Sequence, residues 1–445
     1  MNPPGAIPLQ TPLANDPLER RHWKLAVAAG MASYLDAALL VSVGVTLALW
    51  QSHFAMSARV RMAPRAPTPQ AVAVGALLGG RIADLIGRQR VFTLYILFYA
   101  LGMTVMTLSV SQPMLFVGIV IAGLAAGADL PTSVAVVSER APAHAQGRLV
   151  STTQLMWVLG IAITMGLGFV FSNLGILGAR LIFAELALVA VATWAIRRFD
   201  KDLKTIEEDV VEARRVNPAL AKKISLKEVF RARALLVPMV LTGLFYIFFG
   251  LVANTFGQFQ TYFLITVGGA SQSLATGLST ALIPIAIVMS LFVIKIMDTK
   301  WRNTVFVVGA LIQVAAMVLA GFGNGVILIY VGAIALYNVG ATIAGEANYK
   351  VWTQEGFPLE LRATVQGLTY GVARFTYAVF AFFTPPLLAS NPNALLWLLV
   401  FFSAVATVVG IVIFRYLGSQ GIHPGQPALG LPAERAAVAA ATPAA

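Results

Sequence analysis

The sequence predicts an all-α membrane protein of twelve transmembrane helices in two pseudo-symmetric six-helix halves. Three observations predict it. Of 445 residues, 58% are hydrophobic and 11% charged, with a mean hydropathy of +0.80, against about 45–50% and about 25% in soluble domains. Chemically distinctive marks recur at offsets of 214 to 216 residues. Finally, 25 of the 31 Lys and Arg fall on one side when twelve spans are threaded with both termini inside. That asymmetry marks cytoplasmic loops, so the net charge of +12 reports topology rather than a nucleic-acid partner.

Residues 1–22 are polar and Pro-rich and are expected to form a cytoplasmic tail. Apolar runs follow near 25–50, 91–111, 113–137, 149–172, 178–196, 234–265, 273–296, 303–322, 325–353, 363–389 and 394–414. A spanning helix needs roughly 20 such residues. A twelfth span is required between 50 and 91 to keep the loops on their proper faces. Yet the stretch 71–83 is Gly-rich and too short to cross about 30 Å of hydrocarbon alone. The preceding Arg59-Val-Arg61-Met-Ala-Pro-Arg65-Ala-Pro-Thr-Pro69 is costly in lipid. Either a long external loop before a short tilted helix or a local reading-frame shift would account for the 55–70 segment. The division is then 23–197 for the N-terminal half, 198–233 for a charged cytoplasmic linker and 234–416 for the C-terminal half. Residues 417–445 are an Ala/Pro-rich tail without a core to join.

The repeat is carried by charged marks at span ends. Asp84, Gly87, Arg88 and Arg90 follow one span, and Asp298 and Arg302 follow another, with Asp298 214 positions after Asp84. Glu139-Arg-Ala-Pro142 ends a third span, Glu355-Gly-Phe-Pro358 repeats its spacing 216 positions on, and Arg148 and Arg362 follow each. Two independent marks sharing nearly one offset indicate a duplicated six-helix unit, the ground plan of one large class of transporters. Other chemistries are excluded. There is no cysteine, hence no disulfide or thiolate site, and His22, His53, His144 and His423 form no metal or catalytic spacing. No cofactor is expected.

Gly79-Gly-Arg-Ile-Ala-Asp84-Leu-Ile-Gly87-Arg88-Gln-Arg90 resembles the loop signature of the major facilitator superfamily. Gly123-Leu-Ala-Ala-Gly127-Ala-Asp-Leu-Pro131 with Glu139 and Arg148 is similar to the fourth-helix signature of its sugar porters. Lys350-Val-Trp352-Thr-Gln-Glu355-Gly-Phe357-Pro358 with Arg362 looks like the tenth-helix counterpart, in a form similar to the inositol-transporter branch. The resemblance covers 25–415. It implies a latch between the halves, with Asp84, Gly87, Arg88, Arg90, Glu139, Arg148, Asp298, Glu355 and Arg362 as gating residues. The Pro-Trp pair of sugar-binding tenth helices is Tyr349-Lys350 here, which turns the expectation away from a hexose.

Polar residues within spans are functional hypotheses, because charge in lipid is expensive. Asp36 is the one acid of the first helix, where the resemblance implies a protonation site. A desolvated carboxylate can load and release a proton near neutral pH. The fourth helix offers no arginine to pair with it but does offer Asp129, so a carboxylate pair sharing a proton or a cation is conceivable. Gln154 matches a fifth-helix Gln that contacts sugar hydroxyls in the family, and an amide both donates and accepts. Asn254, Gln258 and Tyr262 are spaced i, i+4 on one face of the seventh helix. The tenth helix adds Asn338, Glu346, Lys350 and Trp352. Glu346 and Lys350 are an i, i+4 pair, either a neutral structural pair or a binding group for an anion. Arg374, in the eleventh helix, would bind a carboxylate or pair with one of the acids.

The expectation is therefore a monomeric secondary transporter in the cell (inner) membrane, carrying a polyol or monosaccharide (inositol-like) inward with protons by alternating access. An organic-acid/proton symporter or a drug exporter is the alternative. A membrane-embedded enzyme or receptor is disfavoured.

Overall fold

The computed structural model describes residues 13, 16–55, 67–216, 230, 232–266, 268–323 and 325–425. The first six spans are α1 (Arg20–His53), α2 (Pro67–Ile86), α3 (Arg88–Thr107), α4 (Gln112–Arg140), α5 (Gln146–Val170) and α6 (Ile176–Phe199). A connecting helix α7 (Lys201–Val216) leads to α8 (Arg233–Thr266), the seventh span. The eighth is split into α9 (Gln272–Ala281) and α10 (Ile283–Ile296), and the ninth is α11 (Arg302–Gly321). The tenth is split into α12 (Ile327–Ala344) and α13 (Glu346–Glu355) and is followed by α14 (Arg362–Ser390) and α15 (Pro392–Ser419). Among the described residues, eleven of the spans are long and apolar enough to cross a membrane by length and composition. The remaining one, α14, has 29 residues, about 43 Å at 1.5 Å per residue.

Local sequence sets the helix starts. Ser111 accepts from Met114 N and precedes Pro113 in α4, and Asn391 accepts from Ala394 N ahead of Pro392 in α15. A short polar cap satisfies an orphan N–H, and Pro suits the first turn. The connecting helix α7 lies against the start of α1, where Arg21 meets Asp209 at 2.7 Å and Lys24 meets Asp200 at 3.5 Å. It buries Leu203, Ile206 and Val210. The end of the bundle on which α7 lies is the linker face.

The sequence undervalued the second span. It is a helix of 20 residues, about 30 Å long, and so crosses; residues 56–66, with Arg59, Arg61 and Arg65, fall outside the described residues. Its hydropathy is low because its neighbours require small residues rather than oily ones. Gly75 and Gly79 meet the α4 backbone at Leu124 and Ala128, and Gly127 of α4 meets Val72. On its other side the Ala76 carbonyl abuts Gly367, and Gly80 abuts the Ala363 carbonyl. Thus α2 is wedged between α4 and α14, one helix from each half. A second crossing pair, α5 with α10, also joins the halves.

Candidate functional site

On the linker face, two carboxylates reach across the interface to cap helices of the opposite half. Asp84, near the end of α2, accepts from Thr364 N at 2.9 Å and from the Thr364 hydroxyl, in the first turn of α14. Asp298, between α10 and α11, accepts from Gly147 N and Arg148 N, both at 2.8 Å, in the first turn of α5. Helix starts carry unpaired N–H groups and the positive end of the dipole, so a carboxylate fits both. Gly147 has to be glycine, because a Cβ there would lie 2.4 Å from Asp298 Oδ1. Burial pushes the Asp298 carboxyl above its ordinary range, while the two N–H groups and Arg148 pull it down.

An arginine stands by each carboxylate: Arg88 behind Asp84, and Arg148, whose Nε lies 3.3 Å from Oδ2, beside Asp298. Arg88 Nε and Nη2 hold Asp84 Oδ1 at 3.0 and 2.9 Å, and Nη1 holds Glu139 at 2.9 Å. Arg88 also donates to the Leu359 carbonyl of the other half. Gly87, with φ +112°, turns the chain between α2 and α3 as only glycine does easily. In the second copy Arg302 grips Glu355 through a two-pronged fork, 2.8 and 2.9 Å. Arg362 donates to the Phe357 carbonyl at 3.0 Å and, across the interface, to Ser138 Oγ at 2.6 Å. Arg90 is exposed and joins none of these bonds.

Deeper in the bundle lies a polar centre shared by both halves. Asp36 of α1 is fully buried, and its Oδ2 accepts from Arg374 at 2.7 Å and from the Tyr370 hydroxyl at 3.0 Å, both on α14. The Arg374 guanidinium lies 4.7 Å over the Tyr370 ring, a favourable cation–π contact. Asp36 Oδ1 and Arg374 Nε are buried without a hydrogen-bond partner among the described residues. Beside this pair, Lys350 donates to Gln154 Oε1 at 3.1 Å and to Ser33 Oγ at 3.2 Å. Its third neighbour is Glu346 Oε1 at 3.2 Å. Two acids and two bases make the centre neutral, which is what allows four charges at this depth.

The tenth span breaks at Gly345 between α12 and α13. A Cβ at Gly345 would lie 2.1 Å from the Ala341 carbonyl and 2.5 Å from the Phe249 ring. Asn348 repairs the break by donating to the freed Ile343 carbonyl at 2.8 Å. Glu346 sits in the first turn of the new helix, where negative charge is favoured. Tyr246 of α8 stacks on Tyr349 at 4.0 Å and on Tyr370 at 5.5 Å, walling the centre on that side.

The sequence matches the family model described as Major Facilitator Superfamily over residues 26–382. The chain belongs to the major facilitator superfamily. Such a facilitator is a transporter rather than an enzyme. The minor myo-inositol transporter IolF of Bacillus subtilis is 32% identical to it over 375 residues, 82% of this chain and 84% of that protein. The glucose transporter GlcP of Staphylococcus epidermidis is 23% identical over 371 residues, 77% of this chain and 82% of that protein. Among solved structures, the proton:xylose symporter XylE bound to 6-bromo-6-deoxy-D-glucose shares the fold. Its TM-score is 0.71 at 15% identity, with 94% of this chain and 98% of that chain covered.

Within this facilitator fold, some sequence-based expectations are redirected. Asp36 and Asp129 do not form a carboxylate pair. Asp129 is taken by Arg197, which reaches both of its oxygens at 2.9 Å. Arg197 also donates to the carbonyls of Ala28 and Phe92. Sequence put Arg197 at the edge of the linker, but its side chain turns inward and is 0% exposed. Two carboxylates that each own a guanidinium have no reason to share a proton. Trp352 packs edge-on against Phe245 and Phe306, both at 5.1 Å, away from Gln154. Asn254 donates to Gly250 O of its own helix at 2.9 Å. Asn338 is half-buried two turns before the break. Gln258 and Tyr262 lie on α8, outside the residues whose side chains are described.

Ser33, Tyr370 and Glu185 went unnoticed in the sequence. Ser33 and Asp36 share a face of α1 at i, i+3, and Tyr370 and Arg374 share one of α14 at i, i+4, so periodicity around each charge would have found them. Glu185, a carboxylate within α6, has a buried oxygen without a hydrogen-bond partner among the described residues.

Proposed function

We propose that this facilitator imports a neutral polyol or monosaccharide, inositol-like, together with protons, with the linker face and both termini in the cytoplasm of the cell (inner) membrane. Charge balance at the centre carries the reading. An organic anion needs an unpaired cation, and Arg374 and Lys350 are each paired with an acid. Neutral hydroxyls need groups that donate and accept, and Gln154 and Ser33 are such groups. The names of IolF and GlcP, a myo-inositol and a glucose transporter, agree with it. Asp36 is the coupling carboxylate: a proton on it competes with Arg374 and releases a cross-link between the halves. The Lys and Arg asymmetry supports a linker face turned inside.

The linker face is the closed one, since every bond between halves named above lies at that face or at the centre. Closure there leaves the ligand to enter from the opposite side. The test is uptake of labelled myo-inositol by proteoliposomes under an imposed proton gradient. Accumulation that an uncoupler abolishes is expected. Proton-driven uptake of an organic acid with no transport of any polyol would overturn the reading.

A further inference from the structure

We propose that Lys350 is the residue through which a bound polyol frees the two halves from each other, the ligand taking Gln154 and Ser33 away from its ammonium. This deepens the function proposed above and rests on Gln154 meeting the ligand.

The ammonium has three N–H donors and three neighbours. Glu346 belongs to its own helix, while Gln154 and Ser33 belong to the other half. Lys350 is 0% exposed, and Gln154 is the most accessible member of the group. A ligand therefore reaches Gln154 before it reaches Lys350. A hydroxyl can donate to Gln154 Oε1 in place of the ammonium and accept a bond at the same time. Two neighbouring hydroxyls can replace both cross-interface contacts.

Losing those contacts does not strand a charge. Glu346 lies four residues before Lys350 on the same helix and moves with it, so the pair stays neutral whether or not the halves touch. A lone ammonium at this depth would be prohibitive. Position matters too. Lys350 is five residues from the linker-face end of α13, about 8 Å at 1.5 Å per residue. The contact thus lies on the closed side of the centre, and the linker face cannot part while it holds.

The Asp36–Arg374 pair is the second cross-link and answers to a different species. Protonation releases the Asp36 link, and substrate releases the Lys350 link. Either species alone leaves the halves joined, which is what coupling requires. A ligand shifts such an equilibrium only by its differential contacts with the two states, and these are the contacts.

The chain has no cysteine, so a single Ala363→Cys reports on the linker face. Ala363 is 0% exposed, shares a buried cluster with Ala83 and Ala135 of the N-terminal half, and its carbonyl abuts Gly80. Alkylation of this thiol is followed at acidic pH with and without myo-inositol. In the parent the reaction is expected to be slow and to rise about tenfold with myo-inositol. The double variant Glu346→Gln/Lys350→Gln removes the pair together. It should react at the raised rate without ligand, with little further response, while Lys350→Arg stays slow. Ser33→Ala/Gln154→Leu removes the acceptors from the opposite side and should behave like the double variant, which covers misfolding of either one. Slow labelling in both double variants that still responds to myo-inositol would overturn the proposal. Unchanged myo-inositol binding by Gln154→Ala would instead overturn the ligand-site reading, since the ligand-free labelling rates do not depend on it.

Discussion

The linker-face latch and the polar centre are built on opposite principles. The latch is written twice: Asp84, Arg88 and Glu139 in one half have Asp298, Arg302 and Glu355 in the other. Each aspartate caps a helix of the opposite half. The centre is written once. The positions 214 residues before Tyr370 and Arg374 are Met156 and Gly160, and 214 after Asp36 is Gly250. Neither exception is spare space: a Cβ at Gly160 would lie 2.5 Å from the Tyr34 carbonyl, and one at Gly250 1.9 Å from the Tyr377 hydroxyl. Duplication kept the bonds that join the two halves at the linker face. Symmetry is absent at the centre, where Asp36 meets Arg374 and Lys350 meets Gln154.

If so, damage to the centre should be severe and damage to the latch partial. Arg374→Gln leaves Asp36 buried and unpaired, and loss of about 3–5 kcal/mol of stability is expected. Thermal unfolding of the purified protein measures it. Asp36→Asn/Arg374→Gln should recover most of the loss, because no lone charge remains. A double variant as unstable as the single one would mean that the pair is not what sets the stability there.

Gln154→Ala should weaken myo-inositol binding by roughly 1–3 kcal/mol, the cost of leaving a buried partner unsatisfied. Calorimetry reads this directly, and binding equal to that of the parent would place Gln154 in helix packing. In the latch, Asp84→Asn loses its charge-assisted bonds to Arg88 and to the α14 start. A shift of roughly 1–2 kcal/mol away from the linker-closed state is expected. Labelling of single cysteines near the opposite-face ends of α1 and α8 should fall accordingly, and unchanged labelling would remove Asp84 from the latch. Asp298→Asn should act in the same direction but least, because its carboxylate is already held up by burial and the amide oxygen still accepts one backbone N–H. An effect larger than that of Asp84→Asn would break the ranking.

The same contrast explains what could be read from the sequence. The latch was legible because repetition marked it: Asp298 was found from Asp84 by counting. The superfamily fold followed from apolar runs and their charged ends. The centre was legible only one residue at a time. Asp36, Gln154, Lys350 and Arg374 stand out as polar groups in apolar runs, but which charge meets which depends on how α1 lies against α14. No spacing in the chain encodes that, so Asp36 was matched with Asp129 and its true partner Arg374 stayed one of several acid-binding options. The second span was misjudged for a related reason. Its glycines look like weakness when hydropathy is counted alone, and they become contact surface only once α4 and α14 are set beside it.

Proton coupling through Asp36 is the point on which the whole account turns, and Asp36→Asn tests it by imitating the protonated form permanently. In proteoliposomes, counterflow of labelled myo-inositol and its proton-driven accumulation are measured on the same preparation. Counterflow should survive, since it needs no net proton movement and Arg374 keeps its hydroxyl and ring contacts with Tyr370. Accumulation should vanish. Accumulation that persists in Asp36→Asn would contradict the account and move the coupling site to another buried carboxylate.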